Sequence, residues 1–219
     1  MADILVIRSI GPSAKSFPPG KRLAEGSRIV LKANDSLDVL DGRGTRTLRG
    51  PGSFIAGAAP QARAGSAPKV TQRRARIGAV RTAGTGELRP PSIWHVDVSR
   101  SSSVCLAESG NVTLWRADSS QPITLNISPV RGGGATRLEW PSGYSTATWP
   151  STLPVADGAE YRLSWAGAAT PTSLKFRSLP KRPLGLEDTA SFLMSNQCDA
   201  QLDLFIETVR VPDAAPPAG

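Results

Sequence analysis

The chain has 219 residues but only one histidine, His95, and two cysteines, Cys105 and Cys198. Four zinc ligands cannot be drawn from three candidates unless carboxylates join them, so a Cys/His zinc site of the usual kind is excluded. No apolar run approaches the roughly 18 residues that a membrane span needs. Met1-Ala2-Asp3 leads directly into Ile4-Leu5-Val6-Ile7 with no basic region and no leader in front. A small residue followed by Asp is also what many signal-peptidase cuts leave, which fits a mature chain restarted with Met. Nucleophile chemistry is poorly provided for, since there is no Gly-x-Ser-x-Gly elbow. Gly42-Arg43-Gly44-Thr45 has neither a following helix pattern nor a Lys-Ser/Thr pair, so it reads as a hairpin turn and not as a phosphate loop.

What is present describes a folded chain. Hydrophobic residues make up 39% and charged residues 20%, with 21 Gly and 19 Pro, a balance that supports a buried core. The net charge of +8 is unevenly spread: +4 over residues 1–60, +6 over 61–90 and −2 over 91–219. Thirty residues therefore carry most of the excess.

The fold class expected is mainly β. Residues 1–57 read as a small antiparallel sheet, with strands at Ile4 to Ile10, Arg28 to Lys32, Leu37 to Leu40 and Thr45 to Arg49. Asp41-Gly42 serves as the tight turn between the last two, and Gly50-Pro51-Gly52 ends the set. Alternation on the last strand sets Arg46 against Thr45, Thr47 and Arg49, which predicts a wet side for this sheet. Residues 58–91 are rich in Ala, Gly, Pro, Thr and Arg and read as a flexible basic linker, with Arg76 to Arg81 as its one strand-like piece.

All five tryptophans follow that linker. Residues 92–182 carry eight β-patterned runs at sandwich spacing: Ile93 to Val98, Val104 to Leu106, Val112 to Arg116, Ile123 to Ile127, Thr136 to Trp140, Ser145 to Trp149, Tyr161 to Trp165 and Ser173 to Phe176. An antiparallel sandwich or barrel follows, with Trp94, Val96, Val98, Tyr161, Leu163 and Trp165 in its core. Over 183–211 the period becomes helical, with Leu186, Ala190, Leu193 and Met194 on one face and Leu202, Phe205, Ile206 and Val209 on another. Two short helices, or one broken near Asn196, precede a Pro-rich tail at 212–219.

Four groups of residues are candidates for function. Cys105 and Cys198 can form one disulfide, which over so long a loop would contribute about 4 kcal/mol in the chain-entropy model, or remain two buried thiols. Arg73, Arg74, Arg76 and Arg81 are enough to neutralise several phosphates of a nucleic acid or an anionic lipid surface, although no aromatics are interleaved for base stacking. A solvated basic linker is the plainer alternative. Trp140-Pro141 and Trp149-Pro150 each end a strand at a proline, so the two rings either line one end of the sandwich as an aromatic platform or fill its core. His95 and Asp97 share a strand face near Ser99 to Ser103, yet neighbours on one strand do not position a nucleophile against a base. No catalytic residue, cofactor or metal is implied.

The stretch Pro18 to Phe54 contains Gly20-Lys21-x-Leu23, Gly26-Ser27-x-Ile29, Ala33-Asn34-Asp35-Ser36, Leu40-Asp41-Gly42 and a strand ending in Gly50-Pro51. This pattern resembles the repeated core of FecR-like domains and covers about one sixth of the chain. The runs Leu114 to Asp118, Glu139 to Pro150 and Asp157 to Trp165 resemble the C-terminal portion that accompanies such modules in alphaproteobacterial proteins. The resemblance implies a bacterial, mostly periplasmic, non-enzymatic β-rich module used in envelope signalling or extracytoplasmic interaction. The chain departs from the iron-dicitrate regulators, having no N-terminal helical region and no membrane span, so neither anti-sigma activity nor iron is carried over. A protein partner held on the strand edges of the first module is the expectation. A cytoplasmic nucleic-acid-binding protein using the four linker arginines is the alternative.

Overall fold

A computed structural model describes residues 3–58, 88–107, 111–178, 183 and 185–211. The fold is mainly β, with two short helices after the strands. The described residues group into two units: 3–58, 185–194 and 205–211 form the first, and 88–107, 111–178, 183 and 195–204 the second. Residues 59–87 of the expected linker, Arg73, Arg74, Arg76 and Arg81 among them, and the tail 212–219 lie outside the described residues.

The first unit contains β1 (Ile4–Ile10), β2 (Arg22–Leu23), β3 (Arg28–Leu31), β4 (Ser36–Asp41), β5 (Gly44–Arg49) and β6 (Gly52–Ile55). Four of them form an antiparallel sheet in the order β2-β1-β4-β5, while β3 and β6 make a separate two-stranded ribbon. The inner face of the ribbon, with Ile29, Leu31 and Phe54, packs on Ile4, Val6, Leu37, Val39 and Leu48 of the sheet. Each of these positions alternates with a more exposed neighbour on β3 and β6, as half-buried strands require. The other face of the sheet buries Leu5, Ile7 and Leu40.

Helix α1 (Leu186–Ser195) meets this unit through Glu187, paired with Arg22 at 2.5 Å. The last turns of α2 (Asp199–Thr208) meet it through the Ile206 carbonyl, which accepts the Thr45 hydroxyl at 2.5 Å. The two helices are separated where Gln197 takes φ +56°, close to the predicted break at Asn196. Ala190, Leu193, Leu202, Phe205 and Ile206 are buried, as the helical spacing predicts.

Three expectations for this unit need correction. The strands do not end at Gly50-Pro51-Gly52, because β6 follows at once and completes the ribbon. The hairpin loop is Gly42-Arg43 and not Asp41-Gly42: Asp41 pairs with Gly44, and the positive φ falls on Gly44 at +138°. A Cβ on Gly44 would stand 2.2 Å from the Val209 carbonyl oxygen, so close backbone approach selects glycine there. The sheet also lacks the expected wet side at Thr45 and Arg46. Thr45 is buried and the Arg46 side chain is 10% exposed. On the same strand Thr47 is half-buried and Arg49 exposed, so the wet side is confined to that end of the face.

The Ala33-Asn34-Asp35-Ser36 turn has a clear structural role. Buried Asp35 accepts the Ser13 N–H on Oδ1 at 2.9 Å and the Lys32 N–H on Oδ2 at 2.5 Å, while its carbonyl accepts the Gly50 N–H. Burial alone would raise the carboxyl pKa, but the hydrogen bonds from Ser13 and Lys32 outweigh it and hold the group below its ordinary value of 3.8. A carboxylate with a depressed folded pKa contributes stability that is complete above about pH 4 and is lost as pH falls through the folded value. Asp35→Asn is therefore expected to lower the melting midpoint at neutral pH and to flatten its decline in acid. Midpoints of both proteins across the acid range check this, and parallel curves would acquit Asp35.

The second unit contains β7 (His95–Asp97), β8 (Ser102–Leu106), β9 (Thr113–Trp115), β10 (Ile123–Pro129), β11 (Thr136–Trp140), β12 (Thr146–Thr148), β13 (Glu160–Ser164) and β14 (Thr172–Ser178). Each of the eight predicted runs overlaps one of these strands. They form a five-stranded sheet, β11-β10-β13-β14-β8, and a three-stranded sheet, β12-β9-β7. The core includes Val96, Leu114, Leu125, Ile127, Trp140, Trp149, Leu163 and Phe176. The expected purely antiparallel pairing is wrong in two places, since β14 pairs with β8 and β7 with β9 in parallel. The cause is the short passage between β7 and β8, which carries the chain from one sheet to the other, so these neighbours in sequence cannot form a hairpin. That passage is pinned by the Thr172 hydroxyl donating to the Val98 carbonyl and the Ser173 N–H donating to Ser101 Oγ. Val96, Val98, Tyr161 and Leu163 are buried as expected, whereas Trp94 and Trp165, which flank β7 and β13, are half-buried.

Candidate functional site

In the second unit, Cys105 on β8 and Cys198 at the start of α2 are joined by a disulfide with a Cα–Cα distance of 5.9 Å. Both residues are fully buried. Beside the bridge, Gln201 lies one helical turn after Cys198 and turns its amide onto the outer edge of β8. Its Oε1 accepts the Cys105 N–H at 2.6 Å, and its Nε2 donates to the carbonyls of Cys105 at 2.9 Å and Ile93 at 2.7 Å. A single side chain thus serves the edge strand as a neighbouring strand would.

The proposed aromatic platform is not present. Trp140 is 1% exposed and Trp149 6%. Trp149 meets Tyr161 and Phe176 edge to face at 4.9 and 5.1 Å and donates its indole N–H to the Leu153 carbonyl. Trp140 donates to the Tyr144 carbonyl and lies under the Arg116 guanidinium, 5.0 Å from its ring centre. Large apolar rings with a satisfied N–H gain most from the interior, and these two occupy it.

His95 and Asp97 share β7, but nothing joins them as a catalytic pair. Among the described residues His95 Nδ1 has no hydrogen-bond partner, and burial lowers the pKa of the ring. Asp97 Oδ1 instead accepts the N–H and hydroxyl of Ser99 at 2.9 and 2.6 Å. Among the described residues, no group of three or more His, Cys, Asp or Glu side chains could hold a metal ion. None of their helices is long and apolar enough to cross a membrane.

The Gly42-Arg43-Gly44-Thr45 turn is committed to the fold. Asp41 receives Arg43 Nη2 at 3.0 Å and Arg46 Nη2 at 2.6 Å. Arg43 also donates to the Gly57 carbonyl, and Arg46 to that of Ala58. Burial would raise the Asp41 pKa, but the Arg43 hydrogen bonds and both guanidinium charges bring it below the ordinary carboxylate value.

An open surface with binding geometry in the first unit is the β3–β6 ribbon. Its register sets Arg28 opposite Ile55 and Val30 opposite Ser53 on the outer face. Val30 is 56% exposed and Ile55 49%, and Arg28 Nε reaches across to Ser53 Oγ at 2.7 Å. The Ala56 N–H bonds the Ser27 carbonyl, so by antiparallel alternation Arg28 and Val30 turn their backbone N–H and C=O groups away from β6. Neither edge of the ribbon pairs with a further strand among the described residues. Backbone donors and acceptors therefore stand beside two exposed apolar side chains and a cation.

Comparison with family models, curated proteins and solved structures gives no match to this chain.

Proposed function

We propose that the chain is a non-enzymatic interaction protein of the bacterial periplasm, whose first unit takes an extended segment of a protein partner as an added strand on the β3–β6 ribbon. The observation that carries this reading is the ribbon itself, with unpaired edges beside exposed Val30 and Ile55. Strand addition draws affinity from main-chain hydrogen bonds and specificity from alternate side chains, and the outer face supplies apolar contacts with Arg28 as a charged guide. The buried Cys105–Cys198 disulfide supports an oxidising compartment, where such bonds persist. The FecR-like pattern of Pro18 to Phe54 agrees with both parts of the proposal.

The test is capture of cross-linked partners from envelope extracts, comparing the full chain with its Val30→Asp/Ile55→Asp variant. Both positions are solvent-facing, so the melting midpoint of the variant should stay close to that of the parent. Recovery of the partner should fall roughly tenfold or more, because two charges then face the docking strand. Equal recovery by both proteins would overturn the ribbon as the docking surface.

A further inference from the structure

The five-stranded sheet of the second unit ends on β11, whose outer edge pairs with no other strand among the described residues. We propose that this edge pairs antiparallel with β11 of a second copy of the chain, centred on Leu138. The strand reads Thr136-Arg137-Leu138-Glu139-Trp140 and alternates strictly: Arg137 and Glu139 are exposed, while Leu138 and Trp140 face the core. Arg137 makes no ion pair among the described residues, and Glu139 spends one oxygen, Oε2, on the Thr124 hydroxyl at 2.9 Å. One residue of each charge is thus available on the same face, two positions apart.

Twofold pairing that keeps core-facing residues opposite core-facing residues must be centred on a residue, because side chains alternate with a period of two. Centring on Arg137 sets arginine against arginine and pairs three residues of the strand. Centring on Glu139 sets glutamate against glutamate, with the same loss. Centring on Leu138 pairs all five residues, sets Arg137 opposite the second copy's Glu139 twice over, and places leucine against leucine in the middle. Opposite charges directly across an antiparallel pair stabilise it, and like charges destabilise it by similar amounts. The strand is therefore complementary to itself in one register and repels itself in the two nearest others. The result is a closed, isologous dimer.

Sedimentation of the full-length chain over a range of concentrations tests this through charge reversal. The parent should show a monomer–dimer equilibrium. Arg137→Glu and Glu139→Arg each convert two attractive pairs into two repulsive ones, so each variant should dimerise roughly tenfold or more weakly. Mixed in equal amounts, the two variants restore both opposite-charge pairs and should associate with each other as the parent does with itself. Both substitutions are on exposed side chains, and unchanged melting midpoints would exclude misfolding as the cause. A parent that stays monomeric, single variants that dimerise like the parent, or a mixture that stays monomeric would each overturn the proposal.

Discussion

Replacing Cys105 and Cys198 together with alanine is expected to cost about 4 kcal/mol of unfolding free energy. The bridge joins residues 93 positions apart, so in the chain-entropy model it removes a large set of extended conformations from the unfolded state. Both cysteines are fully buried, so the variant also loses sulfur packing between β8 and the start of α2. Gln201 would still bond the Cys105 backbone, which predicts a weakened but native-like second unit. Urea titration with and without reductant checks the claim: the reduced parent should unfold near the variant, and the oxidised parent well above both. A difference under about 1 kcal/mol would mean that the bridge is not a structural staple. In protein taken from its native cells, both thiols should resist alkylation until reduced.

Arg116→Met is expected to cost about 3 kcal/mol, the second large effect. Arg116 is 5% exposed, and its guanidinium donates to three main-chain carbonyls: Tyr144 from Nε at 3.1 Å, Gln121 from Nη1 at 2.8 Å and Pro141 from Nη2 at 2.7 Å. Methionine keeps the apolar stem against Trp140 but removes every donor. The Tyr144 carbonyl retains the Trp140 indole N–H, whereas those of Gln121 and Pro141 lose this donor. Lysine cannot replace the planar fork with one ammonium group, so Arg116→Lys should recover a minor part of the loss. Burial pulls the guanidinium pKa down and nearby Asp118 partly offsets it, yet an arginine remains charged across the working range. Urea midpoints of the three proteins decide the matter, and a methionine variant within about 1 kcal/mol of the parent would refute the role.

The strands were legible because each half-buried run carries its own alternation, and Tyr161-Arg162-Leu163-Ser164 shows it in both pattern and burial. Helical spacing disclosed α1 and α2 for the same reason. What escaped was decided between distant residues. β2 has two residues, too few for a pattern, and β6 was hidden behind a proline that read as a stop. The parallel partners of β7 and β8 are chosen by a change of sheet that leaves no mark in local sequence. Trp140 and Trp149 look alike before their prolines whether exposed or buried, and packing across the sandwich makes the choice. Gln201 acts on carbonyls 96 and 108 residues away, and two of the three that Arg116 bonds lie 25 and 28 residues away, so neither had a local signature. Gln201 follows Cys198 by one helical turn, a spacing that acquires meaning once the disulfide is known.

The Gln201 amide on β8 also bears on how far self-association can go. A sheet with two bare margins can add copies indefinitely, each offering a fresh template to the next, and ends in fibres. Here the Cys105 N–H and C=O on one margin are already occupied by a side chain anchored through the neighbouring disulfide. Within the five-stranded sheet β11 is then the margin left for pairing, and a second copy docked there uses it up. The glutamine acts as a chain terminator on the β8 margin of that one sheet.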